Sequence, residues 1–532
     1  MKLYFITTSV FFLILVSVNS CKVHHFRSNY RDANALLHAT DSVQIKPFLK
    51  AHMKNGDIYI MRDTWALDTL SDRLTGNGNH YDLNRQHVRN GDISIPIDSV
   101  VIFETNNKLK NPERGRIAAL TILTALDAGV GIFCLMNPKA CFGSCPTFYL
   151  DPNKDFHGAD AEGFSNAIAP SMQYADVDAL STTAHGGDTL RITMKNEALE
   201  THCVDAVKLL AVSHKPDESV YQGTDGRYYL CSSTAPLHKA LAEEGEITDW
   251  LNKADKTERF SLADSSNLSS KEEIILNFNR EDEGADAGLI LNFRQTLMTT
   301  YFIYNAMGYM GDCVGDVFAK IETGDGTRQL LKNGLMKELG RIEVFVWNET
   351  DQTWIAQGGY YETGPIAANE QLLPLTCLPA SGHVQIKLVL NKGLWRIDHA
   401  VLAEIEQEVK PQELLPITIA GELTTDSMLI AQNLKHGEHI ISMPGDEFEF
   451  TWVLPAGEEN FDLFLYTEGY YLEWMRESWL HDKDLMKLHT MLHRPRSYLQ
   501  GETANYKKYE ADMEEQFWNS RIDTKTFSLY EK

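Results

Sequence analysis

The 532-residue sequence lacks the short motifs that identify the common enzyme classes. It contains no GxSxG nucleophile elbow, no HExxH zinc-binding pair, no phosphate-binding P-loop and no GxGxxG dinucleotide fingerprint. Serine-hydrolase, zinc-peptidase, nucleotide-hydrolase and nicotinamide-dependent activities therefore have no support in the sequence. We predict no cofactor, and the sequence favours a role other than catalysis.

Positive charge is also scarce, since 49 Lys and Arg residues stand against 74 Asp and Glu residues, which gives a formal net charge of −25. An acidic surface repels phosphate backbones, so nucleic acid is excluded as an expected partner.

The length exceeds what one hydrophobic core supports and predicts roughly three or four domains.

The N-terminus is typical of an exported protein. Residues 1–20 comprise Lys2, an apolar run from Leu3 to Val18, and a small Ser20 directly before Cys21. This pattern predicts a signal peptide, and the residues around Cys21 resemble the lipobox at which a lipidated cysteine becomes the mature N-terminus. The alternative is an ordinary signal peptide or an uncleaved anchor, with Cys21 incidental.

If Cys21 is lipidated, several acyl chains would tie the protein to a membrane. We therefore expect a cell-envelope lipoprotein, at the outer membrane in preference to the inner, that is periplasmic or surface-exposed. The expected partners are the membrane, through the lipid anchor, and a glycan or an envelope protein.

Strand alternation, turn residues and charge together predict a mainly β fold with some α-helix (α+β). The expected segments are a polar tether over 21–42, a small β domain over 43–106, an apolar helix over 117–136, a β-rich domain over 141–235, a β-sandwich (jelly-roll-like) region with inserted helices over 271–480, and a helical tail over 481–532. The charged segment 235–271 is a candidate domain boundary.

Within the small β domain, three isoleucines alternate with polar residues, which is typical of a half-buried strand: Ile93, Ile95 and Ile97 with Asp92, Ser94 and Asp98. The glycine-rich TGNGN at 75–79 predicts a turn. The segment 341–405 has short strands at regular spacing, and its GLWRIDHAVL resembles the closing strands of galactose-binding-like jelly rolls.

The run 117–136 is long enough to cross a bilayer. However, Asp127 near its middle would cost a few kcal/mol in lipid. We favour a helix that packs in the protein or dips into the membrane, with a full span as the alternative.

Cys141 and Cys145 are separated by Phe-Gly-Ser, a spacing at which a disulfide can close a small loop. Buried free thiols are the second possibility. Zinc binding is the third, but no further close Cys or His pair follows at the expected spacing. Seven cysteines remain after Cys21, so at least one thiol must be free.

The segment DPNKDFHGADAE places four oxygen-bearing residues at the first, third, fifth and twelfth positions of a calcium loop: Asp151, Asn153, Asp155 and Glu162. Phe156 stands where such a loop needs glycine, so a hairpin turn explains the segment better. We expect no metal, and calcium is retained as an alternative.

The segment KNEALETH contains the densest set of hydrogen-bonding side chains: Asn196, Glu197, Glu200 and His202. Such residues can form an acid/base pair or a metal site. They can equally form a polar connection between two strands, and we favour this second interpretation.

Six segments together resemble a family of exported bacterial proteins that has no assigned reaction. They are KACFGSCPTFY, AEGFSNAIAPSM, KNEALETH, WRIDHAVL, GYYLEWMRESW and MEEQFWNSR, and the similarity extends from about Asp57 to Arg521. The resemblance implies one shared architecture and no catalytic residues.

The sequence thus favours a membrane-anchored lipoprotein with a non-catalytic binding or structural role toward a glycan, a protein or another envelope component. The alternative is an envelope hydrolase that uses polar residues of NEALETH or DPNKDFH. A deep pocket that holds two of these carboxylates with His202 would favour the enzyme, and an open aromatic surface would favour binding.

Overall fold

The computed structural model describes residues 24–30, 49–53, 57–61, 65–68, 70–81, 87–109, 145–151, 158–198, 200–280, 286–311, 317, 334–361, 364–379, 382–421, 440–442, 445–457, 459–473, 479, 482–521 and 524. The signal segment, Cys21, the run 117–136, Cys141, Asn153 and Asp155 lie outside these residues. Among the helices within them, none has the length and apolar character needed to cross a membrane.

Seven strands form an N-terminal sheet: β1 His24–Tyr30, β2 Leu49–Met53, β3 Ile58–Met61, β4 Ala66–Asp68, β5 Arg73–Tyr81, β6 His87–Pro96 and β7 Val100–Leu109. Their order is β1-β7-β2-β3-β5-β4, and β6 pairs with β5. Ile93 and Ile95 are buried while Asp92 and Ser94 are exposed, so the predicted alternation is confirmed for these residues. At Ile97 it is wrong, because β6 ends at Pro96 and Ile97–Ser99 form a short 3-10 helix. Trp65, Leu74 and Phe103 join them in a separate core.

The tether predicted over 21–42 contains β1, which pairs along its whole length with β7. The polar composition of His24–Tyr30 concealed the strand. Backbone pairing satisfies the peptide groups of this segment that face β7, and it does not depend on side-chain polarity.

The turn predicted at 75–79 is wrong, because these residues lie inside the continuous strand β5. A Cβ atom at Gly76 would lie 2.8 Å from the Cα of Trp65, and one at Gly78 would lie 2.1 Å from the carbonyl oxygen of Ile60. The two glycines allow neighbouring backbones to approach closely, which is a role of glycine inside strands.

The larger part of the chain forms a mainly β body with a few helices, which confirms the predicted α+β fold class. Its strands are β8 Thr147–Tyr149, β9 Ala161–Glu162, β10 Tyr174–His185, β11 Thr189–Lys195, β12 Glu200–His214, β13 Ser219–Gly223, β14 Tyr228–Ala242, β15 Gly245–Glu246, β16 Arg259–Phe260, β17 Lys271–Arg280, β18 Asp286–Gln295, β19 Ile342–Asn348, β20 Thr353–Tyr360, β21 Asn369–Leu375, β22 Gly382–Asn391, β23 Trp395–Val409, β24 Gln412–Leu414, β25 Thr418–Gly421, β26 Ile440–Ser442, β27 Glu447–Val453 and β28 Asn460–Glu473. Its helices are α1 Thr248–Leu251, α2 Met298–Met310, α3 Leu335–Leu339, α4 Leu485–His493, α5 Pro495–Tyr506 and α6 Met513–Ser520.

Three sheets build this body. One has the order β10-β28-β12-β24, with β26 also paired to β12, and a second has the order β25-β27-β11-β8-β9. The third and largest has the order β16-β23-β18-β21-β13-β14-β17-β22-β19-β20, and β15 pairs with β14. Strands from distant parts of the sequence are neighbours in every sheet.

Five strands of the largest sheet close into a ring, because β14 pairs with β23 as well as with β13. Around the ring, β13 and β21 run parallel and the other pairs run antiparallel. One face of these strands converges on a small cluster of its own: Tyr229, Cys231, Ile290, Leu372, Val401 and Ala403.

A single hydrophobic cluster extends from Cys145 to Phe517 and joins segments that the sequence assigned to separate domains. The proposed boundary at 235–271 is wrong, since Leu237, Ala240, Leu251 and Leu268 are buried in this cluster. The segment suggested a linker because it has many charged residues. In the structure these charged residues lie mostly at exposed positions, and the apolar residues named above face the core.

The predicted helical tail is confirmed by α4, α5 and α6. The last helix is fixed by apolar packing and by buried charge. Arg294 and Arg396 each contact both Glu258 and Glu514, and Glu514 lies on α6. In this network the Arg294 Nη2 to Glu258 Oε2 distance is 2.6 Å.

Candidate functional site

A small pocket lies where β12 begins and β28 ends, beside helix α2. Its cavity volume is about 30 Å³, room for about two water molecules, so a larger ligand would have to displace side chains of the wall. The described residues that line it are Cys145, Ser165, Asn166, Glu200, Thr299, Thr300, Ile303, Tyr304, Pro365, Ile366, Tyr471 and Glu473. Four of the six sequence segments noted above contribute to this wall: KACFGSCPTFY, AEGFSNAIAPSM, KNEALETH and GYYLEWMRESW.

Two carboxylates in the pocket face each other across paired strands. Glu200 on β12 and Glu473 on β28 are direct antiparallel partners. Side chains opposed in this way project from the same face, with Cβ atoms about 4.5–5.5 Å apart. Both are almost fully buried, at 0% and 2% exposure, so the pocket presents two carboxyl groups in a largely water-free setting.

His202 supports one of these carboxylates. Its Nε2 lies 2.8 Å from Glu200 Oε1, and both residues are buried. Because residues two apart on a strand project from the same face, this contact orients the Glu200 side chain. His202 therefore acts on the pocket through Glu200.

A third carboxylate, Glu162, holds the wall formed by Pro365 and Ile366. Its Oε2 accepts the backbone N–H groups of Ile366 and Ala367, the latter at 2.9 Å, and its Oε1 accepts the thiol of Cys145 at 3.4 Å. Gly364 has φ +96°, and a Cβ there would lie 1.5 Å from Glu162 Oε1. Glycine is thus required where the backbone wraps around this carboxylate.

Burial dominates the ionisation of the acids behind the pocket. It raises the pKa of Glu162 to about 8, against the opposing effect of its two N–H donors. Burial also raises the pKa of Asp176 to about 7 and that of Asp178 well above its ordinary value. Burial together with the charge of Glu162 raises the pKa of Cys145, so its sulfur is a neutral S–H donor at pH 7.

The opposite wall is held in a strained conformation. Phe164 is fully buried with φ +36°, in the left-handed region that a residue with a bulky side chain rarely adopts. The Tyr471 hydroxyl donates to the Ser165 carbonyl at 2.9 Å, and the Tyr471 backbone N–H donates to the Ala167 carbonyl at 2.8 Å. Such strain costs roughly 1–3 kcal/mol and is concentrated at ligand sites.

The composition of the pocket selects among ligands. Its described lining includes two carboxylates, hydroxyl and amide groups and two tyrosine rings, and contains no Lys, Arg or His. Carboxylates accept hydrogen bonds from hydroxyl or ammonium groups, and they disfavour anions in a buried site. The pocket therefore suits a neutral or cationic ligand that carries hydrogen-bond donors.

The structure separates the four residues predicted in KNEALETH. Glu200 lines the pocket, and His202 contacts it through Glu200. Asn196 is buried and donates through Nδ2 to the carbonyls of Glu200 and Ser442, at 3.0 and 3.1 Å. It therefore fixes the backbone before β12, as the favoured interpretation expects of a polar connection.

The Glu197 side chain contacts residues outside the pocket. Its Oε2 accepts the hydroxyls of Tyr149 at 2.6 Å and of Thr147 at 3.0 Å, and Arg521 Nη1 lies 3.5 Å away. This contact ties the C-terminal segment to β8.

Cys145 carries a free thiol in this structure, and its predicted partner Cys141 lies outside the described residues, so the disulfide stays a prediction. The calcium alternative also stays a prediction, because Asn153 and Asp155 lie outside the described residues. At Glu162, the carboxyl oxygens accept backbone N–H groups and the thiol of Cys145. Asp151 is exposed at the start of the segment. In the described part of the chain, no three His, Cys, Asp or Glu side chains are grouped to hold a metal ion.

Sequence reasoning missed Glu473, Tyr471 and Tyr304 as pocket residues. In the aromatic run of α2, Phe302 and Met307 are buried in the core. Tyr304 instead turns to the pocket. The signal that could have identified Glu473 was GYYLEWM, where a lone acidic residue ends a strand of apolar and aromatic residues.

No protein-family model and no curated protein matches the sequence. Among solved structures, BuGH86 in complex with neoagarooctaose matches with 10% identity, TM-score 0.16, and coverage of 43% of this chain and 34% of that chain. BpGH86A, a β-porphyranase of glycoside hydrolase family 86 from the human gut bacterium Bacteroides plebeius, matches with 10% identity, TM-score 0.16, and coverage of 44% and 36%.

A structure of infectious bursal disease virus Gt strain matches with 8% identity, TM-score 0.12, and coverage of 69% of this chain and 97% of that chain. This chain spans about a third of the length of the two glycoside hydrolase structures. At these TM-scores the likenesses carry no conclusion about function.

Proposed function

We propose that the protein is an exported, Cys21-anchored envelope lipoprotein that binds a glycan in the pocket between β12, β28 and α2. The ligand class is a neutral or amino sugar. Its hydroxyl or ammonium groups would donate to Glu200 and Glu473, and its apolar ring faces would pack on Tyr304 and Tyr471.

The observation that carries this proposal is the pairing of Glu200 with Glu473 in a pocket whose described lining has no basic side chain. Carboxylates beside aromatic rings match the chemistry of a sugar, which has hydroxyl donors at its edge and C–H groups on its faces. Phosphorylated, sulfated and carboxylated sugars would meet like charge and are disfavoured.

The test is binding of the purified protein to an array of neutral, amino and acidic glycans. Thr300 lines the pocket from α2 and is half-buried, so Thr300→Phe fills the space while both carboxylates are retained. Thr353→Phe, on the exposed start of β20, is the matched control.

We expect binding to neutral or amino sugars, loss of that binding in Thr300→Phe, and retention in Thr353→Phe. An array with no bound glycan, or equal binding by Thr300→Phe and the wild type, would contradict the proposal.

The anchor is supported by the signal-like residues 1–20 and by the lipobox-like residues around Cys21. Metabolic labelling with a fatty acid tests it directly. We expect label on the wild-type protein and none on Cys21→Ala. Equal label on both proteins, or on neither, would refute the anchor and leave the pocket proposal intact.

A second candidate function, glycoside hydrolysis, is favoured by the Glu200 and Glu473 pair. In retaining glycosidases two carboxyl groups stand about 5–5.5 Å apart, close to the spacing that directly opposed strand residues allow. One carboxylate would attack the anomeric carbon while the other group, protonated as a carboxylic acid, donates its proton to the departing oxygen. That group, now a carboxylate, would then take a proton from the water that displaces the sugar from the first.

Release of reducing sugar from the glycans that bind on the array distinguishes the two functions. If the protein is a hydrolase, Glu200→Gln and Glu473→Gln would each abolish turnover while binding remains. If the wild type releases no sugar from any bound glycan, the binding function stands and the hydrolase is excluded.

A further inference from the structure

Helix α4, which packs against α2, presents two histidines side by side on its exposed surface. His489 and His493 are four residues apart and therefore lie on the same face, one turn from each other. Their ring centroids are 4.3 Å apart with an angle of 33° between the ring planes. Both side chains are exposed to solvent.

The scaffold beneath the two rings is fixed. Asp484 caps the helix by accepting the backbone N–H groups of Met486 and Lys487, the latter at 2.9 Å. On the opposite face Leu488 and Met491 are buried in the main core. The helix therefore holds the backbone of both histidines in place, and only their side-chain torsions need to adjust.

Two imidazoles at positions i and i+4 of a helix can direct one nitrogen each toward a single ion, which is how this spacing supplies metal ligands in proteins. Imidazole is a ligand that suits Cu²⁺, Ni²⁺ and Zn²⁺. Met486 is 76% exposed one turn earlier, three residues before His489, and it extends the same face with a soft thioether.

We propose that His489 and His493 form a chelating site for one divalent first-row transition ion, with water completing the coordination. The affinity order among ions is expected to place Cu²⁺ above both Ni²⁺ and Zn²⁺. The site is independent of glycan binding, since none of the residues that line the pocket belongs to α4.

The first test is calorimetric titration of the full-length purified protein with Ni²⁺, an ion that does not oxidise thiols. Chelation makes the second contact intramolecular, so removal of either histidine should weaken binding about a hundredfold. The variants are His489→Ala, His493→Ala and the double variant. His238→Ala, which removes a lone exposed histidine on β14, is the matched control.

The second test is electron paramagnetic resonance of the Cu²⁺-loaded protein, which reports nitrogen ligands. We expect coupling to two nitrogens in the wild type and in His238→Ala, and loss of that coupling in both single variants. Unchanged Ni²⁺ affinity in the double variant, or a copper spectrum that the double substitution does not alter, would overturn the proposal. The double variant also gives the background from other donors, such as the exposed Cys377.

Discussion

Two regions of the molecule bury carboxylates, and they differ in what those carboxylates face. At the C-terminal helix, Glu258 and Glu514 are matched by Arg294 and Arg396, so that charge is balanced by charge. At the pocket, Glu200 and Glu473 line empty space whose described wall has no basic residue. The first arrangement fastens a helix to the body, and the second places carboxylates along the wall of a pocket.

This difference separates the acids that stabilise the fold from the acids that line a candidate functional site. Removing one partner of an ion pair shielded from solvent leaves the other charge without compensation, which is costly. The arginine network should therefore contribute strongly to the free energy of unfolding. Acids that line a cavity are expensive to keep in the fold, and such departures from good packing are typical of functional sites. Arg294 also links the two regions, since its Nη1 donates to the Pro365 carbonyl at 2.8 Å.

The largest expected effect comes from breaking the arginine network. Arg294→Met leaves Glu258 and Glu514 short of a partner and should lower the free energy of unfolding by about 3–5 kcal/mol. Denaturant unfolding measures the change. The exposed pair of Arg496 with Glu338 is the control, because Arg496→Met should cost less than about 1 kcal/mol. Equal losses in the two variants would contradict this account.

The next largest effect concerns the backbone turn around Glu162. Gly364→Ala combines a left-handed φ with a clash against Glu162 and should cost at least about 3 kcal/mol. Gly382 has a similar φ of +93° with no atom within 4 Å of an added Cβ, so Gly382→Ala should cost about 1–2 kcal/mol of strain alone. If thermal or denaturant unfolding ranks the two variants in the reverse order, the steric role of Gly364 is wrong.

A third effect is pH dependence. The folded-state pKa values of Glu162, about 8, and Asp176, about 7, lie above the ordinary values of 4.5 and 3.8. Between about pH 4 and pH 8 the folded chain therefore retains protons that the unfolded chain has released. The free energy of unfolding should fall by several kcal/mol as pH rises through this window, since each tenfold change in proton affinity is worth about 1.4 kcal/mol.

Denaturant unfolding of Glu162→Gln across the same pH range isolates one of these groups. Its slope should be flatter than that of the wild type, while Glu349→Gln, on an exposed turn, should leave the slope unchanged. A wild-type stability that rises from pH 5 to pH 8 would contradict the assignment.

The smallest effect separates Glu197 from the pocket. Tyr149→Phe removes the hydroxyl that donates to Glu197 at 2.6 Å and should cost about 1–2 kcal/mol. Glycan binding by this variant should match that of the wild type, since neither residue lines the pocket. A loss of binding would place Glu197 within the functional site.

Local pattern was sufficient for the strands, the helical tail and the fold class, because alternation such as that of Ile93 and Ile95 is a property of neighbouring residues. It was insufficient for the sheets. The pairing of β10 with β28, or of β14 with β23, depends on contacts between segments far apart in the sequence. Glycines show the same limit of local pattern. The sequence around Gly76 and Gly78 is typical of a turn, whereas in the structure both residues allow neighbouring strands to approach closely.

For the same reason, only some residues of the candidate site could be predicted from the sequence. Glu200 and His202 stood out because polar residues are dense in KNEALETH. Glu473 could not be linked to them, because its pairing with Glu200 arises only from the register between β12 and β28. Cysteine spacing likewise suggested a disulfide, whereas the Cys145 thiol is directed to Glu162.

The central claim is that the pocket between β12, β28 and α2 holds a sugar. The most direct measurement is a crystal structure of the protein with the glycan that binds most strongly on the array. We predict a sugar ring in the pocket, with hydroxyl or amino groups within hydrogen-bond distance of Glu200 and Glu473. A glycan bound on another surface, with the pocket empty, would contradict the account.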